Sequence, residues 1–190
     1  MQIKKQLLCG IIIFLMMTNP VWARWHLDKK EFKPTYEANG LNLPLRGVGV
    51  KTLFMMRVFV AGFYLDKQIP SLKALEDVAK HLEVRFFTKI SGKDFTKYTI
   101  SRIKANLKPK EIALVEDRFP RMAELFPNIR SGDTFSLTYK PNEGTYFTLN
   151  GQVLGVIEGA DFAKAIFTTW LGAKPIDHIL KRQVLGITKI

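Results

Sequence analysis

Residues 47–65 have the sequence GVGVKTLFMMRVFVAGFYL and give the clearest indication of the fold. From Leu53 to Leu65 every residue except Arg57 is apolar, and the valines and aromatic residues of this segment favour β-strand. Continuous apolarity, without alternation of apolar and polar residues, is typical of a strand that is covered on both faces. We therefore expect 53–65 to form a central strand of a β-sheet.

Further strand patterns lie on both sides of this segment. The Asn39-Gly40 dipeptide favours a tight hairpin between two strands, and three later strands are joined by turns so short that they must pair antiparallel. The additional predicted strands are 31–37, 41–46, 81–89, 133–140, 145–150 and 152–157.

Helices are predicted between and after these strands. Ser91 and Asp94 have the spacing of a capping box, which places a helix from there to about Leu107. Pro109 suits the first position of the next helix, and Pro120 should kink it. The other predicted helices are 71–79, 159–171 and 175–185, with Gly172 and Gly186 as C-terminal caps. Antiparallel strands combined with such helices indicate an α+β fold, with helices on one face of the sheet.

The composition fits one globular domain. The chain has 190 residues, of which 47% are hydrophobic and 24% charged, so it is neither disordered nor a coiled coil. It carries 29 Lys and Arg against 17 Asp and Glu, a net charge of +12. The basic residues are scattered along the chain and not gathered in one run, which argues against nucleic acid. A solvated surface, an anionic membrane surface or an anionic small ligand remain as explanations.

The N-terminus has the three parts of a secretory signal peptide. Two lysines are followed by an apolar run from Leu7 to Met17 and by a small residue, Ala23, that closes a cleavage site. The run is too short to cross a bilayer, although an uncleaved anchor remains the alternative. We expect residues 1–23 to be a signal peptide and 24–190 to be a single periplasmic domain. Cleavage would remove the one cysteine, Cys9, and leave a net charge of +10, because 27 basic residues would face 17 acidic ones.

The sequence contains none of the common catalytic motifs. Gly47-Val48-Gly49 is half of a dinucleotide fingerprint, and we interpret it instead as a close backbone approach in a sheet. The three histidines lie far apart, so no metal site is expected. Glu158 and Asp161 stand at a helix start, where acids are favoured by the helix dipole. We expect no cofactor.

Two blocks of sequence, taken in order, resemble the chalcone isomerase fold. One consists of 47–51 and 58–65. The other runs from Gly155 to Gly172 and includes Glu158-Gly159, Phe162 and Trp170, with Leu185-Gly186 closing the chain. The similarity covers most of residues 38–187 and is strongest to the exported, chalcone isomerase-like proteins of bacteria. It implies an open-faced β-sandwich, in which a large antiparallel sheet lies under a layer of helices with a ligand cleft between them.

The resemblance also implies which residues occupy the cleft. The family's catalytic arginine falls on Lys51, and the threonine on the next strand falls on Phe59. The tyrosine and asparagine of the first long helix fall on Phe95 and Arg102, and the late hydroxyl falls on Ala163. Because none of these positions keeps the catalytic group, a developing oxyanion would lose most of its stabilisation. Isomerase activity of the chalcone isomerase type is therefore the alternative and not the main expectation.

The non-catalytic branch of the family binds fatty acids, which suggests an apolar, anionic ligand here. Lys51 would pair with the head group, Phe59 and Phe95 would line the tail, and Arg102 would assist at the mouth. Each of these residues could instead be an ordinary surface cation or core side chain. A filled cleft with a partner-binding role is thus a third possibility.

Overall fold

A curled antiparallel sheet of seven strands is the centre of the molecule. The computed structural model describes residues 31–38 and 40–187. Within them the strands follow one another in the sheet in chain order, so that every neighbouring pair is antiparallel. The strands are β1 (Thr35–Ala38), β2 (Leu41–Leu53), β3 (Met56–Leu65), β4 (Lys80–Phe86), β5 (Thr134–Lys140), β6 (Gly144–Leu149) and β7 (Gln152–Ile157).

The described residues form five α-helices in two groups, one between β4 and β5 and one after β7. The first group covers the sheet with α1 (Gly92–Asn106), α2 (Pro109–Ala113) and α3 (Phe119–Leu125), and the second consists of α4 (Ala160–Leu171) and α5 (His178–Val184). Helix α1 packs against α4, and α5 packs against β2. The main core lies between these helices and the sheet, whereas a smaller cluster around Phe32, Val60 and Tyr64 covers part of the opposite face. The α+β architecture is as predicted.

The prediction of one strand from Leu53 to Leu65 is wrong at its beginning. Strand β2 continues through Leu53, the chain reverses at Phe54 and Met55, and β3 starts at Met56. The sequence pattern did not predict this turn, because both turn residues are large and apolar where polar or glycine residues are usual. Beyond the turn the prediction is confirmed, since β3 lies between β2 and β4 and is buried on both faces from Phe59 to Leu65.

Two helix predictions are also corrected. The segment 71–79 forms only a 3₁₀ turn at Ser71–Lys73, where the Ser71 hydroxyl donates to the Leu185 carbonyl instead of capping a helix. The segment 109–126 is not one kinked helix. It is divided into α2, a 3₁₀ turn at Glu116–Arg118 and α3, and Pro120 lies in the first turn of α3, where its missing amide costs nothing.

Several local predictions are confirmed. Ser91 is the N-cap of α1, and its oxygen accepts a hydrogen bond from the Asp94 amide at 3.1 Å. Gly172 caps α4, and Gly186 follows α5 with a φ of +66°. The close approach expected at Gly47 and Gly49 also occurs, because helix α5 crosses directly over these two residues of β2.

Some predictions fall outside the described residues, namely the signal peptide at 1–23, with Cys9, and the Asn39 position of the first hairpin. In the part that the structure describes, no helix has the length and apolar character that a membrane span requires.

Candidate functional site

A cavity of about 470 Å³ opens between the sheet and helix α1. Its floor is formed where β3 and β4 meet, since Phe59 and Phe86 are directly paired there. Helices α1 and α4 and the segment before α5 supply the walls. The lining residues are Phe59, Phe86, Ile90, Asp94, Phe95, Lys97, Tyr98, Ser101, Trp170 and Ile176.

Aromatic side chains make the inner wall of the cavity. The ring of Phe59 lies 5.6 Å from that of Phe86 and 5.6 Å from that of Trp170, centroid to centroid. Phe95 continues this arrangement, 5.9 Å from Phe86 and 4.3 Å from Phe126. Edge-to-face and tilted packing of this kind holds rings in place. The wall is therefore an apolar surface of mutually packed rings.

Polar lining residues all come from the exposed side of α1. Asp94, Lys97, Tyr98 and Ser101 are solvent-exposed, and their positions mark the mouth of the cavity. Asp94 already has a partner at the start of the helix, because its carboxylate accepts a hydrogen bond from the Ser91 hydroxyl at 2.6 Å. Lys97 makes no ion pair with any described residue. The mouth thus offers an uncommitted ammonium group beside an apolar interior.

Of the four residues predicted for the site, Phe59 and Phe95 line the cavity. Lys51 is the Cα partner of Phe59, but it is not part of the lining. Its Nζ lies 2.7 Å from Asp177 Oδ2, and both side chains are about a quarter exposed. Partial burial would raise the pKa of Asp177, but the hydrogen bonds from Lys51 and from the amides at the start of α5 outweigh it and lower that pKa. Lys51 is therefore engaged in tying β2 to α5.

Arg102 lies on α1 next to the cavity without lining it. Its guanidinium carbon is 5.5 Å from the centre of the Tyr98 ring, a cation–π arrangement, and Tyr98 itself lines the mouth. The Nε of Arg102 is buried and has no hydrogen-bond partner. Arg102 thus contacts a residue of the mouth, and its predicted role there stays a prediction. Ala163, the position of the late hydroxyl in the resemblance, is fully buried in the main core.

Sequence reasoning missed most of the remaining lining residues. In the sequence, Trp170 is marked only as part of the second block of the family resemblance, and Ile176 belongs to a segment without a pattern of its own. Lys97 and Ser101 follow Asp94 at helical spacing, so their common exposed side was available in the sequence. What the sequence lacked was the packing angle of α1, which decides that this side borders a cavity.

A second, wider depression of about 850 Å³ lies across α1. Lys97 borders both spaces, and Phe126 is the only aromatic side chain of the second lining. The smaller cavity has more apolar walls and is the better candidate site. Among the described residues no group of three or more His, Cys, Asp or Glu is placed to hold a metal ion.

Comparison with known proteins agrees with this architecture. No curated protein sequence matches the chain. The crystal structure of a fatty-acid binding protein from Arabidopsis thaliana superimposes with a TM-score of 0.63 at 17% sequence identity, over 82% of this chain and 91% of that chain. The model of the family described as chalcone isomerase-like matches residues 26–186. The chain therefore belongs to the chalcone isomerase-like family.

Proposed function

We propose that the protein binds a fatty-acid-like ligand non-covalently, with the acyl chain in the cavity between β3, β4 and α1. The observation that carries this proposal is the cavity itself, about 470 Å³ of space with aromatic walls and a lysine at its mouth. A volume of this size is within the range of small-molecule sites, roughly 300–1,000 Å³. The similar fold of a protein that binds fatty acids supports the same class of ligand.

The acyl chain would supply most of the affinity. Each buried methylene contributes about 0.8 kcal/mol, so a chain of ten carbons outweighs any single polar contact of the head group. An exposed ion pair contributes only about 0.2–1 kcal/mol. Chain length should therefore decide affinity up to the length at which the cavity is full.

Lys97 is our candidate for the residue that binds the carboxylate of the fatty acid. It lines the mouth, it is exposed, and no described acid pairs with it. Lys51, the residue expected from the family resemblance, would have to give up its contact with Asp177 first. A ligand held by Lys97 leaves that contact intact.

Non-covalent binding is proposed in preference to isomerase chemistry because of where the polar groups lie. Lys97, Tyr98 and Ser101 are on one exposed helix side at the mouth, while the interior positions are Phe59, Phe95 and Trp170. Phe59 and Phe95 have no donor for an oxyanion, so among these three interior side chains only the indole N–H of Trp170 could serve as one. A measured rate of chalcone cyclisation above that of buffer would contradict this part of the proposal.

The proposal can be tested by measuring, with calorimetry, the affinity for saturated fatty acids of increasing chain length. Affinity should rise about fourfold for each added methylene and then level off once the cavity is filled. Ser101→Trp, which places a large ring in the mouth, should weaken binding at least tenfold. Lys104→Trp is the matched control, since Lys104 is exposed on the same helix but does not line the cavity.

The head-group assignment has its own test. Lys97→Met should weaken fatty-acid binding up to about fivefold and leave binding of the uncharged alcohol of equal length unchanged. Lys51→Met should have the smaller effect on the acid. If Lys51→Met had the larger effect, the carboxylate would lie at Lys51. If Ser101→Trp had no effect, the ligand would not lie in this cavity.

We also propose that the protein works in the periplasm, supported by the signal-like sequence of residues 1–23. Cell fractionation should recover a processed chain that begins at Arg24. Recovery of the full-length chain in the cytosolic fraction would contradict this.

A further inference from the structure

The turn between β2 and β3 exposes four large apolar side chains in a row. Leu53, Phe54, Met55 and Met56 are 54%, 87%, 93% and 65% exposed. Exposed apolar residues that occur singly are normal on a protein surface, whereas a contiguous group marks an interaction site. The other large apolar residues exposed in the described part of the chain are separate from one another in sequence, as Leu72 and Leu114 are. We refer to Leu53–Met56 as the apolar tip.

The backbone of the apolar tip is unfavourable for the residues it carries. Phe54 and Met55 have φ values of 46° and 66°. Two consecutive positive φ values are typical of the two-residue hairpin turn that Asn-Gly forms most readily, and large side chains avoid them. Folding alone would therefore favour small or polar residues at both positions. Among residues 31–38 and 40–187 the two side chains are almost fully exposed, so packing within this part of the chain does not explain them.

Basic residues surround the apolar tip. The Phe87 amide donates to the Val58 carbonyl at 2.9 Å, which brings the segment after β4 alongside the hairpin. The two segments 51–59 and 86–98 together contain five basic residues and one acid, namely Lys51, Arg57, Lys89, Lys93, Lys97 and Asp94. Lys51 and Arg57 lie beside acids of other segments, Asp177 at 2.7 Å and Glu31 at 3.8 Å, so the excess positive charge comes from the three lysines of 86–98. At the other end of the sheet, residues 66–80 carry three basic and three acidic residues, namely Lys67, Lys73, Lys80, Asp66, Glu76 and Asp77.

Two of the lysines near the apolar tip are available to a partner outside the cavity. Lys89 and Lys93 are exposed, the described residues provide no ion pair for either, and neither lines the cavity. A partner that matches both features must be apolar inside and negatively charged at its surface. An anionic lipid bilayer has this chemistry, because lysines attract its head groups and apolar side chains enter the boundary of its acyl region.

We propose that the apolar tip inserts into an anionic lipid bilayer while Lys89 and Lys93 contact the lipid phosphates. Phe59, which lines the cavity, is only three residues beyond Met56 on the same strand. Insertion of the tip therefore brings the cavity close to the membrane. The proposal is independent of the cavity's ligand, since it rests on exposure, backbone conformation and charge at the tip.

A probe placed on the tip tests this directly. Cys9 is the only cysteine, so Cys9→Ser with Met55→Cys gives one site for an environment-sensitive nitrobenzoxadiazole label on the full-length chain. With phosphatidylglycerol-containing vesicles the emission should shift to the blue and gain at least twofold in intensity, and added salt should reduce the effect. The matched control is Cys9→Ser with Leu72→Cys, because Leu72 is 92% exposed at the other end of the sheet and should not respond.

A second substitution tests whether the response comes from the apolar tip itself or from the rest of the chain. Phe54→Asn in the Met55→Cys protein removes the largest side chain and suits the positive φ, so the fold is maintained while the shift falls at least threefold. Equal responses at positions 55 and 72 would overturn the proposal, as would a response to uncharged vesicles of the same size. Blue-shifted emission without vesicles would also overturn it, since the tip would then be covered by this chain or by a second copy.

Discussion

Substitution of Gly47 by alanine should destabilise the protein by about 3 kcal/mol, the upper end of what overpacking costs. A Cβ at this position would press into the main-chain oxygen of Gln183 and lie 2.8 Å from that of Val184. Both oxygens belong to the backbone of α5, which cannot move aside without leaving β2. For a domain of this size the midpoint of thermal unfolding should fall by about 6–12 °C.

Gly49→Ala is the matched control for this prediction. It lies two residues further along β2 under the same helix, but its Cβ would meet mainly a side-chain atom, Leu180 Cδ1, at 2.6 Å. A leucine can change its rotamer, so the loss of stability should be clearly smaller. Equal losses for the two variants would show that α5 adjusts as a rigid unit and would contradict the explanation.

Replacement of Lys80 by methionine should stabilise the protein at neutral pH by about 1–3 kcal/mol. Lys80 is fully buried in the core, where its Nζ donates to the Glu76 carbonyl at 2.6 Å and lies 5.3 Å from the Tyr139 ring. Burial lowers the pKa of Lys80 to about 8 despite the opposing influence of Asp77 and Glu76. Methionine fills a similar volume without a charge that must be desolvated.

The same lysine should give the wild-type protein an unusual stabilisation in mild alkali. Between pH 8 and about 10 the unfolded chain keeps the Lys80 proton and the folded chain does not, so the free energy of unfolding rises with pH by about 2 kcal/mol. Above pH 10 the trend reverses. Burial raises the pKa values of Tyr64 and Tyr139, so the unfolded chain loses those protons first.

Denaturant titrations from pH 7 to 10 test this behaviour. The wild-type protein should gain stability over the range, and Lys80→Met should show little change. Lys104→Met replaces an exposed lysine and should keep the slope of the wild type. A wild-type slope that survives in Lys80→Met would assign the effect to another group.

The sequence predicted most of the sheet because its strands are set by local features. Turn dipeptides such as Asn150-Gly151 and alternating or continuous apolarity act over a few residues, and the strands they mark are present as expected. The hairpin at Phe54-Met55 could not be predicted in this way, since its residues contradict the chemistry of the turn. The missing helix at 71–79 was equally hidden, because Ser71 bonds to Leu185, which lies 114 residues away.

The candidate site was predictable only where family resemblance and packing agree. Phe59 and Phe95 were placed by motif and line the cavity. Lys51 was placed by the same motif, but its partner Asp177 comes from a helix 126 residues later, and no local pattern links the two. Lys97 had no motif at all. Its position depends on how α1 lies across the sheet, which is a tertiary property.

The strand order has a consequence for the folding reaction. Because every sheet neighbour is also a chain neighbour, most strand pairs close short loops and can form early. The longest connection joins β4 to β5, and these two strands can pair only after residues 87–133 have brought them together. That connection contains α1, which forms one wall of the cavity. Refolding should therefore have its slowest conformational step at the β4–β5 pairing, and any affinity for ligand should be regained only after that step.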